Sequence, residues 1–156
     1  MGSENEMTIA QSRLQFATFR VASEWFAVPV EAVQEVLKPV KLTSVPSAHP
    51  VVCGLLNLRG EIIPAIDLGF RFQSDPAHKE DSMMVALSVD SEVVALFVEE
   101  VGDVISSSVD DIRDIPAGLS GTVKDNVKRI IRGEKHTFLE LDPLKILSFD
   151  GAINEF

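Results

Sequence analysis

A chain of 156 residues is one ordinary domain, or two very small units sharing a core. Its 46% hydrophobic and 24% charged residues belong to a folded protein, not a disordered one. The net charge of −10 argues against nucleic acid and against an anionic membrane surface, and it suits protein partners with basic patches.

Residues 1–12 are polar and acidic and read as a flexible tail, with none of the apolar stretch of a secretory leader. No apolar run reaches the roughly 18 residues that a membrane helix needs. Phe16–Val21 and Trp25–Val30 read as strands around a break at Ala22, Ser23 and Glu24. Between Glu31 and Leu37, the residues Val33, Val36 and Leu37 have helical spacing, and at most a short helical turn is expected. Pro39, Pro46 and Pro50 punctuate a loop with one short edge strand. Val51–Asn57 and Glu61–Asp67 form a predicted hairpin around Leu58, Arg59 and Gly60, where Gly60 can take the positive φ of a tight reversal. Asp67 is placed to cap a helical turn over Leu68–Phe72.

Met83–Val89 alternates, and Val93–Val98 is apolar throughout, as in a strand buried on both faces. Ser106–Asp125 is polar and reads as the longest connection. Val127–Arg132 and His136–Leu141 make a second predicted hairpin around Gly133. Asp142 and Pro143 open a short final helix as N-cap and first-turn residue. The organisation expected is one folded domain over 13–148 with tails at 1–12 and 149–156. About ten short strands with little helix point to an all-β barrel or sandwich.

The chain also repeats itself. Val21–Leu37 aligns with Val89–Ile105, 68 positions on, with eight of 17 positions identical. Leu58-Arg59-Gly60-Glu61 recurs as Ile131-Arg132-Gly133-Glu134, 73 positions on. Both copies then run through apolar residues to an acid and a leucine, Asp67-Leu68 and Glu140-Leu141. Two similar half-structures are expected.

Chemistry is hard to find. His49, His78 and His136 share no metal-ligand spacing with one another or with Cys53, and read as surface histidines. Glu99, Glu100 and Asp103, then Asp110, Asp111 and Asp114, are dense carboxylates, but they lie on polar connections and read as a solvated acidic face. Cys53 reads as a small buried hydrophobe. No phosphate-binding, nucleophile-elbow or zincin motif is present. No metal and no cofactor is expected, and the absence of catalytic motifs favours a binding module over an enzyme.

Gly54 to Leu68 (Gly-Leu-Leu-Asn-Leu-Arg-Gly-Glu-Ile-Ile-Pro-Ala-Ile-Asp-Leu) closely resembles the signature of the CheW family, with every defined position met. Trp25–Leu37, Leu42–Pro46, Val98–Val104 and Phe138–Leu147 resemble flanking parts, so the resemblance covers residues 13–148. It implies two intertwined, SH3-like, five-stranded β-barrels with a short C-terminal helix. It implies a cytoplasmic, non-catalytic chemotaxis adaptor, recruited to membrane receptor arrays without inserting in the membrane. Its partners would be the CheW-like regulatory domain of a CheA-type histidine kinase and the cytoplasmic tip of chemoreceptors.

By the same resemblance, Arg59 and Asn57 in the turn, and Val33 and Glu35 before it, match partner-binding positions. Gly54, Gly60, Pro64 and Asp67 match structural ones. Two roles fit Arg59: partner binding, or a buried ion pair with Asp67 or a C-terminal acid. Gly69 and the glycine-free turn at Ala22, Ser23 and Glu24 depart from the family pattern. The alternatives are a CheW-like module of another chemosensory two-component pathway and a small β-barrel enzyme.

Overall fold

The computed structural model describes residues 13–45, 51–72, 82–115, 117 and 125–147. Both expected tails, Pro46 to Pro50, residues 73–81 with His78, Pro116 and residues 118–124 lie outside them. Twelve strands and two short helices are found among the described residues.

Apolar alternation makes β1 (Arg13–Val21) and β2 (Glu24–Pro29) a hairpin. A single 3₁₀ turn, Val30–Ala32, leads into β3 (Val33–Leu37). The helical spacing of Val33, Val36 and Leu37 therefore belongs to a strand. Leu37 is buried, while Val36 points to solvent at 43% exposure. Next come β4 (Val52–Leu58), β5 (Glu61–Asp67) and the one-turn helix α1 (Leu68–Arg71). The edge strand expected in the loop between β3 and β4 is one bridge, Thr43 to Leu55.

The second half opens with the hairpin β6 (Met83–Val89) and β7 (Glu92–Val98). Val94–Val98 are buried on both faces, and so are Met84–Leu87 of β6. Then follow β8 (Glu100–Val101), β9 (Ile105–Ser108), a 3₁₀ turn (Val109–Asp111) and β10 (Ile112–Arg113). The polar stretch from Ser106 is thus partly strand. Its serines do not prevent this, because β9 lies along Arg13–Phe16 and only Ser107 is buried. Last come β11 (Val127–Arg132), β12 (Thr137–Leu141) and α2 (Pro143–Leu147). Asp142 caps α2, its Oδ1 accepting from the Leu144 amide at 3.1 Å.

The strands form two sheets, in the orders β3-β6-β7-β5-β4 and β10-β11-β12-β2-β1-β8, with β9 also on β1. Each sheet takes a hairpin from one half and the remaining strands from the other. The registers show a complete duplication. Val33 pairs with Leu87 and Leu37 with Met84 on β6. In the same way Val101 pairs with Phe19 and Ile105 with Phe16 on β1, every position displaced by 68. β5 runs parallel to β7 (Ala65 opposite Ala95), as β12 does to β2 (Glu140 opposite Ala27).

The second hairpin corrects the sequence alignment. Leu56 pairs with Ile63, and Ile131 with Phe138, an offset of 75. The Asp67 amide donates to the Val51 carbonyl at 3.0 Å, and the Asp142 amide to the Asn126 carbonyl at 2.9 Å, again 75 apart. Gly133 therefore corresponds to Leu58, not Gly60, and Asp142, not Glu140, corresponds to Asp67.

One core joins the sheets. Phe19 and Phe26 of one sheet meet Ile66 and Leu96 of the other, with Leu141 and Ile146 closing it. A smaller cluster of Phe16, Ala27, Ile131 and Phe138 lies within the second sheet.

Candidate functional site

The β4–β5 turn has two central residues, both in the left-handed region: Arg59 at φ 53° and Gly60 at φ 89°. Gly60 has no Cβ to strain there, whereas Arg59 accepts a conformation that L-residues disfavour. Asn57 holds the turn, since its Oδ1 accepts from the Gly60 amide at 2.8 Å. The guanidinium of Arg59 then reaches Glu35 on β3, with Nε 3.3 Å from Oε1 and Nη2 3.4 Å from Oε2. β3 and β4 are the two edges of the five-stranded sheet, so this ion pair draws its edges together.

The pair is not buried. The Arg59 side chain is 80% exposed and its partner is Glu35, whereas Asp67 is buried at the end of β5. The expectation of a buried pair with Asp67 or a C-terminal acid is thereby corrected: the tip of a two-residue turn stands clear of the core. Val33 sits elsewhere on β3, half-buried against the main core.

Two residues beside the pair were not singled out from sequence. Val36 follows Glu35 and is 43% exposed, and Ile62, across from Asn57, is 62% exposed. A signal existed for Ile62. It takes the outward phase of a strand whose next residue, Ile63, faces the core.

Gly54 and Pro64 shape the strands behind the turn. A Cβ on Gly54 would lie 2.7 Å from the Thr43 carbonyl oxygen. The Leu55 amide and carbonyl both bond Thr43, at 2.8 Å each. Opposite Leu55, Pro64 therefore turns its nitrogen away from β4. On that other side the pairing with β7 starts only at Ala65, so no ladder bond is lost.

Reactive chemistry stays weak. Burial first, and the Asp67 carboxylate second, push the Cys53 thiol up to about 11, which keeps it protonated and unreactive at neutral pH. No group of three His, Cys, Asp or Glu side chains among the described residues could hold a metal ion. None of the described helices is long and apolar enough to cross a membrane.

Residues 15–150 match the family model described as the CheW-like domain. The chemotaxis protein CheW of Treponema pallidum is 26% identical over 147 residues, covering 91% of this chain and 86% of that protein. That of Rhizobium meliloti is 30% identical over 131 residues, covering 82% and 84%. The crystal structure of the scaffolding protein TtCheW from Thermoanaerobacter tengcongensis superposes with a TM-score of 0.80 at 25% identity, over 90% of this chain and 96% of that one. The two intertwined SH3-like barrels agree with that scaffold. With its fold and most of its length matched, the chain belongs to the CheW-like domain family.

Proposed function

We propose that this chain is a non-catalytic adaptor of chemotaxis signalling, coupling chemoreceptors to a CheA-type histidine kinase. It works in the cytoplasm and reaches the membrane through the receptors it serves. Its docking face is the Arg59–Glu35 edge with Val36 and Ile62, and Asn57 and Gly60 set the turn that presents it. Val33 lines the approach along β3.

One observation carries this reading. The two-residue turn puts Arg59 in the left-handed region, as the other hairpin turns do Ala22, Ser23, Asp90 and Ser91, and at its tip Arg59 holds an ion pair that is 80% exposed on the arginine side. Such a pair contributes at most about 1 kcal/mol to folding. An exposed charge at a turn tip, with the exposed apolar residues Val36 and Ile62 on the adjoining strands, suits recognition better than stability. Support also comes from the names of its relatives, which are chemotaxis proteins and a scaffolding protein.

Co-sedimentation with the kinase and membrane-arrayed receptor fragments tests the reading, with Arg59→Ala beside wild type. Wild type should join the array and raise kinase activity, and folded Arg59→Ala should do neither. If wild type binds neither partner, the adaptor reading fails. If Arg59→Ala binds as wild type does, the docking face is wrong.

A further inference from the structure

The duplication allows a comparison inside the molecule. In the first half, Glu35 of β3 holds Arg59 of the β4–β5 turn. The registers carry Glu35 onto Asp103, 68 positions on, and Arg59 onto Glu134, 75 positions on. The second half thus has carboxylates at both places, one of them where the first half has a guanidinium.

Asp103 and Glu134 line one cavity of about 780 Å³ on the second sheet. Trp25 lines it too, with His136 stacked on it at 4.8 Å and 22°. Gly102 presses on the indole, since a Cβ there would fall 2.7 Å from the ring. Carboxylates in such a cavity are suited to a cation through charge-assisted hydrogen bonds. Arg13, Arg132 and Lys135 also line the cavity. Among the described residues, none of the three forms an ion pair with Asp103 or Glu134, and the one ion pair at the cavity, Arg20 with Glu100, involves neither carboxylate.

We propose that this cavity takes the guanidinium or ammonium group of a basic side chain from a partner protein. The group is held by Asp103 and Glu134 in the cavity that Trp25 also lines, in the place that the first half fills with its own Arg59. One barrel then offers a cation and the other receives one. The two related surfaces reject each other's partners by charge. This goes beyond the docking reading above and stands without it.

Trp25 is the only tryptophan, so its fluorescence reports on the cavity. N-acetyl-arginine amide, titrated at constant ionic strength, should change that fluorescence saturably. N-acetyl-citrulline amide, of the same shape without the charge, should not. Glu134→Arg, which reproduces the arrangement of the first half, should weaken the arginine response at least about tenfold. Glu92→Arg, at an exposed acid on the other sheet, should leave it unchanged. Asp103→Asn serves the same purpose as Glu134→Arg should that variant fail to fold. Equal responses to the two compounds, no saturable response to arginine amide, or an unchanged response in the folded cavity variant would each overturn the proposal.

Discussion

Arg129 grips Glu140 through three contacts: Nε to Oε1 at 2.9 Å, Nη2 to Oε2 at 3.1 Å and Nη2 to Oε1 at 2.7 Å. The Glu140 side chain is 1% exposed, while that of Arg129 stays 40% exposed. In the first half, the same register position holds Gly54 opposite Ala65. Removing the arginine would leave a buried carboxylate without its counter-charge. Arg129→Ala should lower the unfolding free energy by about 3 kcal/mol in urea titrations. The double variant Arg129→Leu with Glu140→Leu should be more stable than Arg129→Ala, because no charge is then left buried.

Arg59 should behave in the opposite way. Its ion pair is hydrated, and Arg59→Ala should change stability by no more than about 1 kcal/mol. Exchanging the charges, Glu35→Arg with Arg59→Glu, keeps the pair but inverts what the edge shows a partner. Array binding by that double variant should remain lost while its melting temperature stays near wild type. Recovery of binding would mean that the pair serves the fold alone.

Gly54 leaves no room for a side chain. The Thr43 oxygen that a Cβ would strike is held by the Leu55 amide at 2.8 Å, so it cannot retreat without breaking that bridge. The backbone at Gly54, with φ +157°, also lies where side chains rarely sit. Gly54→Ala should cost about 2 kcal/mol, read from the shift of the urea midpoint at unchanged slope.

Cys53 predicts an alkaline limit. The unfolded thiol ionises near 9.0, whereas the folded one holds its proton until about 11. Between these values the unfolded state releases a proton that the folded state keeps, so stability falls as pH rises. Below about pH 9 both states are protonated and the effect vanishes. Native protein should resist alkylation by iodoacetamide at neutral pH, and Cys53→Ala should flatten the alkaline loss of stability. An equal slope in the variant would assign that loss to other groups.

Much of this fold was legible in the sequence, and the misses have physical causes. The repeat from Val21 to Leu37 survives because it covers a hairpin's turn and second strand and the strand after it, all in one register. The second match slipped by two residues, from 75 to 73. Side chains alternate with a period of two, so a slip of two keeps every apolar residue on its proper face and alignment cannot detect it. At β3, one outward valine, Val36, imitated helical spacing on an edge strand. The meeting of Arg59 and Glu35 was not legible as a contact. It needs the two edges of a sheet whose middle strands, β6 and β7, come from the other half of the chain.

That exchange of strands has a consequence for how the molecule holds together. Cut into its two repeats, the chain would leave each with a hairpin whose sheet belongs to the other. The arrangement is that of a strand-swapped homodimer whose two subunits have been joined end to end. Neither repeat encloses a core by itself, because the main cluster draws on both. The protein should therefore unfold as one cooperative unit despite its two barrels, and its separated halves should recover native structure only when mixed.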